Sequence, residues 1–279
     1  MSRKRILIVG NMPRAGVREE IERLRPWLAE RADIAAVIDG RGDGPLDESC
    51  RADLCVVFGG DGTLLAAARR IAGTGMAMIG VNMGKLGFLA DFTVEHMQKH
   101  LDDILAGTIR PVERMMLDVD VGDGAFHSLA ANDVAVVAGP PFRMIDLRVE
   151  RNGTPMAAYF GDGVVVATPT GSTGYNLSLY GPIVEPSVEA MVITPVATHS
   201  LSMRPIVVTA ETVLRIVPVR VNEGSMLVID GQVTCPLANG QVIGIRRADC
   251  RARIVPHPGR DFFDTLTRKL QWGRSPHHP

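Results

Sequence analysis

Gly59-Gly60-Asp61-Gly62-Thr63 sets one carboxylate in a turn otherwise almost without side chains. The apolar run Leu54 to Phe58 before it reads as a short buried strand, and Leu64 to Ala72 after it as a helix that Thr63 could cap. Glycines at a strand-to-helix turn let backbone N–H groups approach a ligand, and the helix N-terminus adds positive charge, so phosphate is the expected guest. An aspartate beside phosphate is repelled. Asp61 is therefore expected either to hold a metal ion or to take a proton from the group that attacks phosphorus. The loop has neither the lysine of the P-loop pattern nor the spacing of the dinucleotide fingerprint. An ordinary Asp-Gly turn capping a helix would explain the same five residues.

Two further stretches carry unusual chemistry. Phe160 to Ile183, FGDGVVVATPTGSTGYNLSLYGPI, runs from a strand into a turn crowded with Thr168, Thr170, Gly171, Ser172, Thr173, Gly174 and Tyr175. It offers many small donors and acceptors without bulk, as any Ser/Thr-rich surface loop would. Gly161-Asp162-Gly163 repeats the acid framed by glycines, and Asn132-Asp133 opens a β run, where an Asx turn is the plain alternative. His127 and His199 lie in β-rich segments without metal-ligand spacing, and His257, His277 and His278 near the end are expected to be solvated. Cys50, Cys55, Cys235 and Cys250 are too few and scattered for a disulfide framework, and are expected as reduced, mostly buried thiols.

These clusters need elements to position them. Up to about residue 108, strand-like runs such as RILIVG, DIAAVI, LCVVF and MAMIGV alternate with helical patterns, which is the grammar of an α/β domain with a parallel sheet. Beyond it, short strands follow one another between turn signals, Asp123-Gly124 and Asn152-Gly153 among them, and imply a β-rich, sandwich-like domain. Phe262, Phe263, Leu266 and Leu270 then share one face of a C-terminal helix that must dock somewhere. The expected division is 1–108, 109–256 and 257–279.

The 279 residues carry a net charge of −1, 46% hydrophobic residues and a mean hydropathy of +0.12, enough for a large core. No basic field invites nucleic acid, and no apolar run approaches the ~20 residues that span a bilayer. The polar turn soon after RILIVG is unlike a signal-peptide core, so a cytoplasmic protein without membrane attachment is expected.

Taken together, GGDGT at 59–63, GVNMGKLGFLADF at 80–92, LAANDVAV at 129–136, GDG at 161–163, TPTGSTGYNLS at 168–178, GPIV at 181–184, ITPVATHSLSMRPIVV at 193–208 and DGQ at 230–232 resemble the NAD kinase family, in its order. The resemblance implies transfer of a phosphoryl group from ATP to the 2′-hydroxyl of the adenosine ribose of NAD, with Asp61 as general base. Gly59, Gly60, Gly62 and Thr63 would cradle the donor phosphates. Mg²⁺ would be carried with ATP, with no metal site of the protein's own and no prosthetic group. Asn132 and Asp133 would hold the adenosine part of NAD and Asp162 the nicotinamide side. Thr170, Thr173, Gly174, Tyr175, Asn176, Leu177 and Ser178 would wrap the dinucleotide, with Gly62, Phe88, Arg143 and Gln232 as further NAD contacts. A C-terminal helix returning to the first domain is also implied, as is a homodimer or homotetramer in which a neighbouring subunit completes the NAD site. Gly174 stands where the family usually has Ala and Ala167 where it commonly has Ser, changes that bear on the nicotinamide end. Gly161 resembles members that also accept polyphosphate or NADH. Two alternatives remain: a lipid kinase of the diacylglycerol type, which shares GGDGT, and a regulatory protein that binds NAD or NADP without turnover.

Overall fold

The computed structural model describes residues 3–42, 44, 46–84, 87–200 and 202–273. The chain forms two compact units, one from Met1–Glu113 with Ala252–Pro279 and the other from Arg114–Arg251. The first contains β1 (Arg5–Gly10), α1 (Val17–Arg31), β2 (Asp33–Asp39), β3 (Leu54–Gly59), α2 (Asp61–Ile71), β4 (Ala77–Asn82) and α3 (Val94–Leu105). Its strands run parallel in the order β2-β1-β3-β4. β3 is buried along its whole length, as the unbroken apolar run of a parallel strand covered on both faces requires. α1 buries Val17, Ile21, Leu24 and Leu28 and α3 buries Met97, Leu101 and Ile104, all in one core with Phe58, Ile79 and Phe92. The strand order reverses between β1 and β3. Open α/β sheets bind ligands just there, beyond the carboxyl ends of the strands.

β5 (Val112–Val121) leads into the second unit, followed by β6 (Phe126–Ala130), β7 (Asp133–Val137), β8 (Ile145–Arg151), β9 (Thr154–Gly161) and β10 (Gly163–Ala167). After α4 (Tyr175–Ser178) come β11 (Ala190–Val196), β12 (Ile206–Thr209), β13 (Leu214–Arg220), β14 (Met226–Ile229), β15 (Val233–Pro236) and β16 (Ile243–Ile254). One antiparallel sheet orders β12-β11-β10-β7-β14-β15, and β16, β13, β8 and β9 with β5 and β6 form the other. Their inner faces share a core that includes Leu117, Val136, Leu147, Val166, Ile193, Ile216 and Leu227, as in a two-layer β fold. Asn152 (φ 50°) and Gly153 (φ 78°) turn β8 into β9 in the left-handed conformations that a two-residue hairpin needs.

The chain then returns to the first unit, where Arg253 and Ile254 of β16 pair in parallel with Ala77 and Met78 of β4. α5 (Phe262–Leu270) follows, opened by a capping box between Asp261 and Asp264. Its expected apolar face is only partly used: Leu266 and Thr265 are buried, whereas Phe263 and Leu270 are 51% and 39% exposed. Phe263 packs instead beside Phe262 and Trp272, with ring centroids 5.6 and 6.3 Å away.

Three other expectations are corrected. α2 begins at Asp61 rather than Leu64, because an acid in the first turn complements the helix dipole. Thr63 is consequently no cap; it is buried, and its side chain fills the space where a Cβ on Gly59 would fall. His257 is not a free surface group, for its Nε2 lies 2.9 Å from His96 Nδ1 and its ring packs on Phe92. Burial, then the charges of Arg260, His96 and His100, pull it down to about 4. All four cysteines are free; Cys50 and Cys55 are buried, and Cys235 and Cys250 are half-buried. His277, His278 and the motif residues Lys85, Leu86 and Leu201 lie outside the described residues.

Candidate active site

In the first unit the GGDGT turn stands beyond the carboxyl end of β3. The Asp61 carboxylate accepts three consecutive backbone N–H groups from another loop: Phe88 at 2.7 Å on Oδ2, and Leu89 at 3.0 Å and Ala90 at 2.9 Å on Oδ1. A Cβ on Gly87 would collide with Oδ1, which is why glycine opens that loop. A carboxylate offers about four acceptor positions, so Oδ2 keeps one. Gly62 is exposed beside it. The half-buried Phe88 ring is covered by Lys269 of α5, whose Nζ lies 4.6 Å from the ring centroid. Asp91 closes the loop. Burial raises its carboxyl to about 6, with the negative charge of Asp61 adding to the rise.

The second unit brings Asn132, Asp133, Gly174 and Tyr175 together. A Cβ built on Gly174 would lie 3.4 Å from Asn132 Nδ2 and 3.5 Å from Asp133 Oδ2. Asp133 is 6% exposed, and burial, then the charge of Asp230, pushes its carboxyl up to about 7 against the Tyr175 N–H. Asn132 Oδ1 is buried with no hydrogen-bond partner among the described residues, an acceptor awaiting a donor. Asp230, 8% exposed at φ 50°, fixes this corner: its carboxylate accepts from the N–H groups of Ala131 at 3.0 Å, Asn132 at 2.7 Å and Asp133 at 3.1 Å.

Other expected contacts fare differently. Asn176 has its side chain engaged within the loop. It is fully buried, its Nδ2 donates to the Ser172 and Pro182 carbonyls, and its Oδ1 accepts from Thr194, so its amide shapes the loop and is not offered to a ligand. Thr170 is buried, Thr173 and Leu177 are half-buried, and Ser178, Asp162, Arg143 and Gln232 are exposed. Asp162 lies between β9 and β10, with its backbone bonded to Val196 and Ala138. Arg143 follows the Pro140-Pro141 turn, and Gln232 the turn opened by Asp230. A Cβ on Gly161 would stand 2.8 Å from the Ala197 oxygen, so close backbone packing requires glycine there whatever the substrate range. Sequence reasoning missed Asp230, Asp91, Arg14 and Lys269. Asp230 lay within the DGQ signal and Asp91 within GVNMGKLGFLADF, whereas Arg14 and Lys269 acquire meaning only from the fold.

A phosphate-type turn at the switch point of an α/β unit, joined in one chain to a polar cluster on a β-sandwich, is the arrangement of a nucleotide-dependent phosphotransferase. Residues 14–109 match the ATP-NAD kinase N-terminal domain and residues 131–257 the ATP-NAD kinase C-terminal domain. The chain is 40% identical over 258 residues to the NAD kinase of Geobacter sulfurreducens, covering 88% of this chain and 91% of that one. With the NAD kinase of Desulforamulus reducens the identity is 36% over 276 residues, covering 95% and 96%. A crystal structure of yeast NADH kinase complexed with NADH superposes with a TM-score of 0.87 at 22% identity over 98% of this chain and 89% of that one. An NAD kinase from Archaeoglobus fulgidus in complex with ATP gives 0.74 at 25% identity over 96% and 98%. The chain belongs to the NAD kinase family.

Proposed function

We propose that this protein transfers the terminal phosphoryl group of ATP to the 2′-hydroxyl of the adenosine ribose of NAD, giving NADP, with Asp61 as the general base. The observation that carries the reading is the state of Asp61. Three N–H donors lock the carboxylate in place, and the remaining acceptor position on Oδ2 is left for the ribose hydroxyl. That hydroxyl is a poor nucleophile until its proton has somewhere to go as the O–P bond forms. The GGDGT turn supports the donor phosphates through backbone N–H groups and the N-terminus of α2. Asn132 Oδ1 supports the acceptor side, since an exocyclic amine of adenine would satisfy it, and the Asp133 carboxyl suits ribose hydroxyls. Thr170, Thr173, Gly174, Tyr175, Leu177, Ser178, Asp162, Arg143, Gln232 and Phe88 are proposed as further NAD contacts.

A divalent cation such as Mg²⁺ fits this chemistry as a passenger of the donor. Asp91, whose buried carboxyl lies near Asp61, would supply hard oxygen atoms beside the turn. When bound it neutralises charge on the phosphates. We further propose a cytoplasmic homodimer or homotetramer. Exposed Ile206 and Val207 on the edge strand β12, with Phe142 and Tyr180, offer apolar surface for it. Among the described residues no helix is long and apolar enough to cross a membrane.

The test is direct. Purified protein with Mg²⁺, ATP and NAD should form NADP, measured with an NADP-specific dehydrogenase, and ³¹P NMR should place the new phosphate on the 2′-oxygen. NAD binding without NADP formation would instead identify a regulatory binding protein.

A further inference from the structure

The GGDGT turn poses a problem of charge. It receives a polyphosphate chain, yet it holds a carboxylate and, unlike a P-loop, is followed by no lysine. Backbone N–H groups and a helix end supply only partial positive charge. Mg²⁺ carried with the donor would offset part of the negative charge, and a cation of the protein's own would add to that; the switch point tells where to look, since the loop after β1 faces the loop after β3 across it.

Arg14 is the residue on that loop. Its turn is held by the Asn11 N–H donating to the Phe58 carbonyl at 3.1 Å, the Arg14 N–H to Asn11 at 2.9 Å and the Val17 N–H to Arg14 at 3.2 Å, so the side chain starts from a fixed point beside the end of β3. The guanidinium reaches over two glycines: a Cβ on Gly60 would lie 3.8 Å from Nη1, and one on Gly84 would overlap Nη2. Gly84 is itself tied to Asn82, at the carboxyl end of β4, by its N–H. Arg14 is exposed, and among the described residues no carboxylate pairs with it, whereas Arg23, Arg41 and Arg51 of the same unit pair with Glu20, Asp39 and Glu48. The planar fork suits the oxygens of a phosphate chain, which it can grip in pairs.

We infer that Arg14 is a phosphate-binding residue for the nucleoside triphosphate donor, set across the GGDGT turn to balance the charge of Asp61 and the donor. The inference rests on the phosphotransfer reading above, and wild-type NADP formation separates the two: without it the reading fails, and with it Arg14 is tested on its own.

The experiment varies Mg·ATP at saturating NAD for the wild type, Arg14→Gln and Arg14→Lys, with ATP binding by calorimetry in parallel. Loss of a charge-assisted, paired contact should raise the KM for ATP and weaken ATP binding by at least about tenfold in Arg14→Gln and by less in Arg14→Lys. The KM for NAD should stay within about twofold, and the melting temperature should not move, because the side chain is exposed. Gly84→Ala offers an independent arm: its Cβ displaces the guanidinium, so it should reproduce the ATP defect with Arg14 intact. An unchanged KM for ATP in Arg14→Gln, or a rise in the KM for NAD matching that for ATP, would overturn the assignment.

Discussion

Asp61 in the α/β unit and Asp230 in the β-sandwich solve the same local problem. Each carboxylate gathers three consecutive backbone N–H groups from a loop far away in sequence, 88–90 in one case and 131–133 in the other. Glycines attend both, Gly87 because a Cβ would strike the Asp61 carboxylate, and Gly231 because the turn after Asp230 runs at φ 67°. The difference is exposure. Asp61 is half-buried on the first residue of α2, open on one side, whereas Asp230 is 8% exposed. An anchor that is sealed can only hold a loop, while an anchor left open can hold a loop and still meet a substrate. The sealed one also acts at a distance, since its charge helps to raise the Asp133 carboxyl.

The largest effect is expected at the open anchor. Asp61→Asn keeps acceptors for Leu89 and Ala90 but turns an amide N–H toward the Phe88 N–H and cannot take a proton. Turnover should fall by about 10²–10⁴, the range for loss of a general base, and stability by about 1–3 kcal/mol for the mispaired donor. Steady-state kinetics and thermal melts read the two losses separately.

Asp230→Asn should cost a similar ~1–3 kcal/mol of stability but act on binding rather than on turnover, raising the KM for NAD by about tenfold as Asn132 and Asp133 lose their fixed positions. It also removes the neighbouring charge, so the pH at which NAD affinity changes should move below that of the wild type, which NAD titrations across pH 5–9 would reveal.

Asp133 itself gives a smaller, pH-dependent signal. Its folded-state carboxyl is raised from 3.8 to about 7, so protonation favours the folded state: that stabilisation is complete below about pH 3.8 and lost as pH rises through 7. Asp133→Asn should therefore flatten the decline in stability between pH 5 and 8 measured by urea unfolding. His257 works in the opposite direction and more weakly, being only half-buried. Its folded value near 4 against 6.5 means that stability falls as pH drops from 6.5 toward 4, and His257→Gln should reduce that loss.

Much of this was legible in the sequence. Continuous apolar runs such as LCVVFG and hairpin turns such as Asn152-Gly153 carry their structure locally, and GGDGT, Asn132-Asp133 and the 168–178 loop marked both polar clusters. The anchoring was not legible, because the partners of Asp61 and Asp230 are main-chain N–H groups that every residue has and that only tertiary packing selects. The part played by the Asn176 side chain was hidden for a related reason. A polar side chain within a binding motif looks like a ligand contact until the fold is seen to spend its amide on Ser172, Pro182 and Thr194. Arg14 left no trace either, since an exposed arginine after a strand is ordinary until the order β2-β1-β3-β4 sets its loop beside the GGDGT turn.

The most direct test is turnover of Asp61→Asn and Asp230→Asn measured side by side at saturating ATP and NAD. Both variants lose one acceptor for a three-donor loop, so the cost to folding is comparable and the open position on Asp61 Oδ2 is the difference that bears on the chemical step. Turnover of Asp230→Asn should exceed that of Asp61→Asn by about 10² or more, with Asp230→Asn within a few-fold of wild type. Equal turnover in the two variants would contradict the account, because Asp61 would then be no more than a second loop anchor.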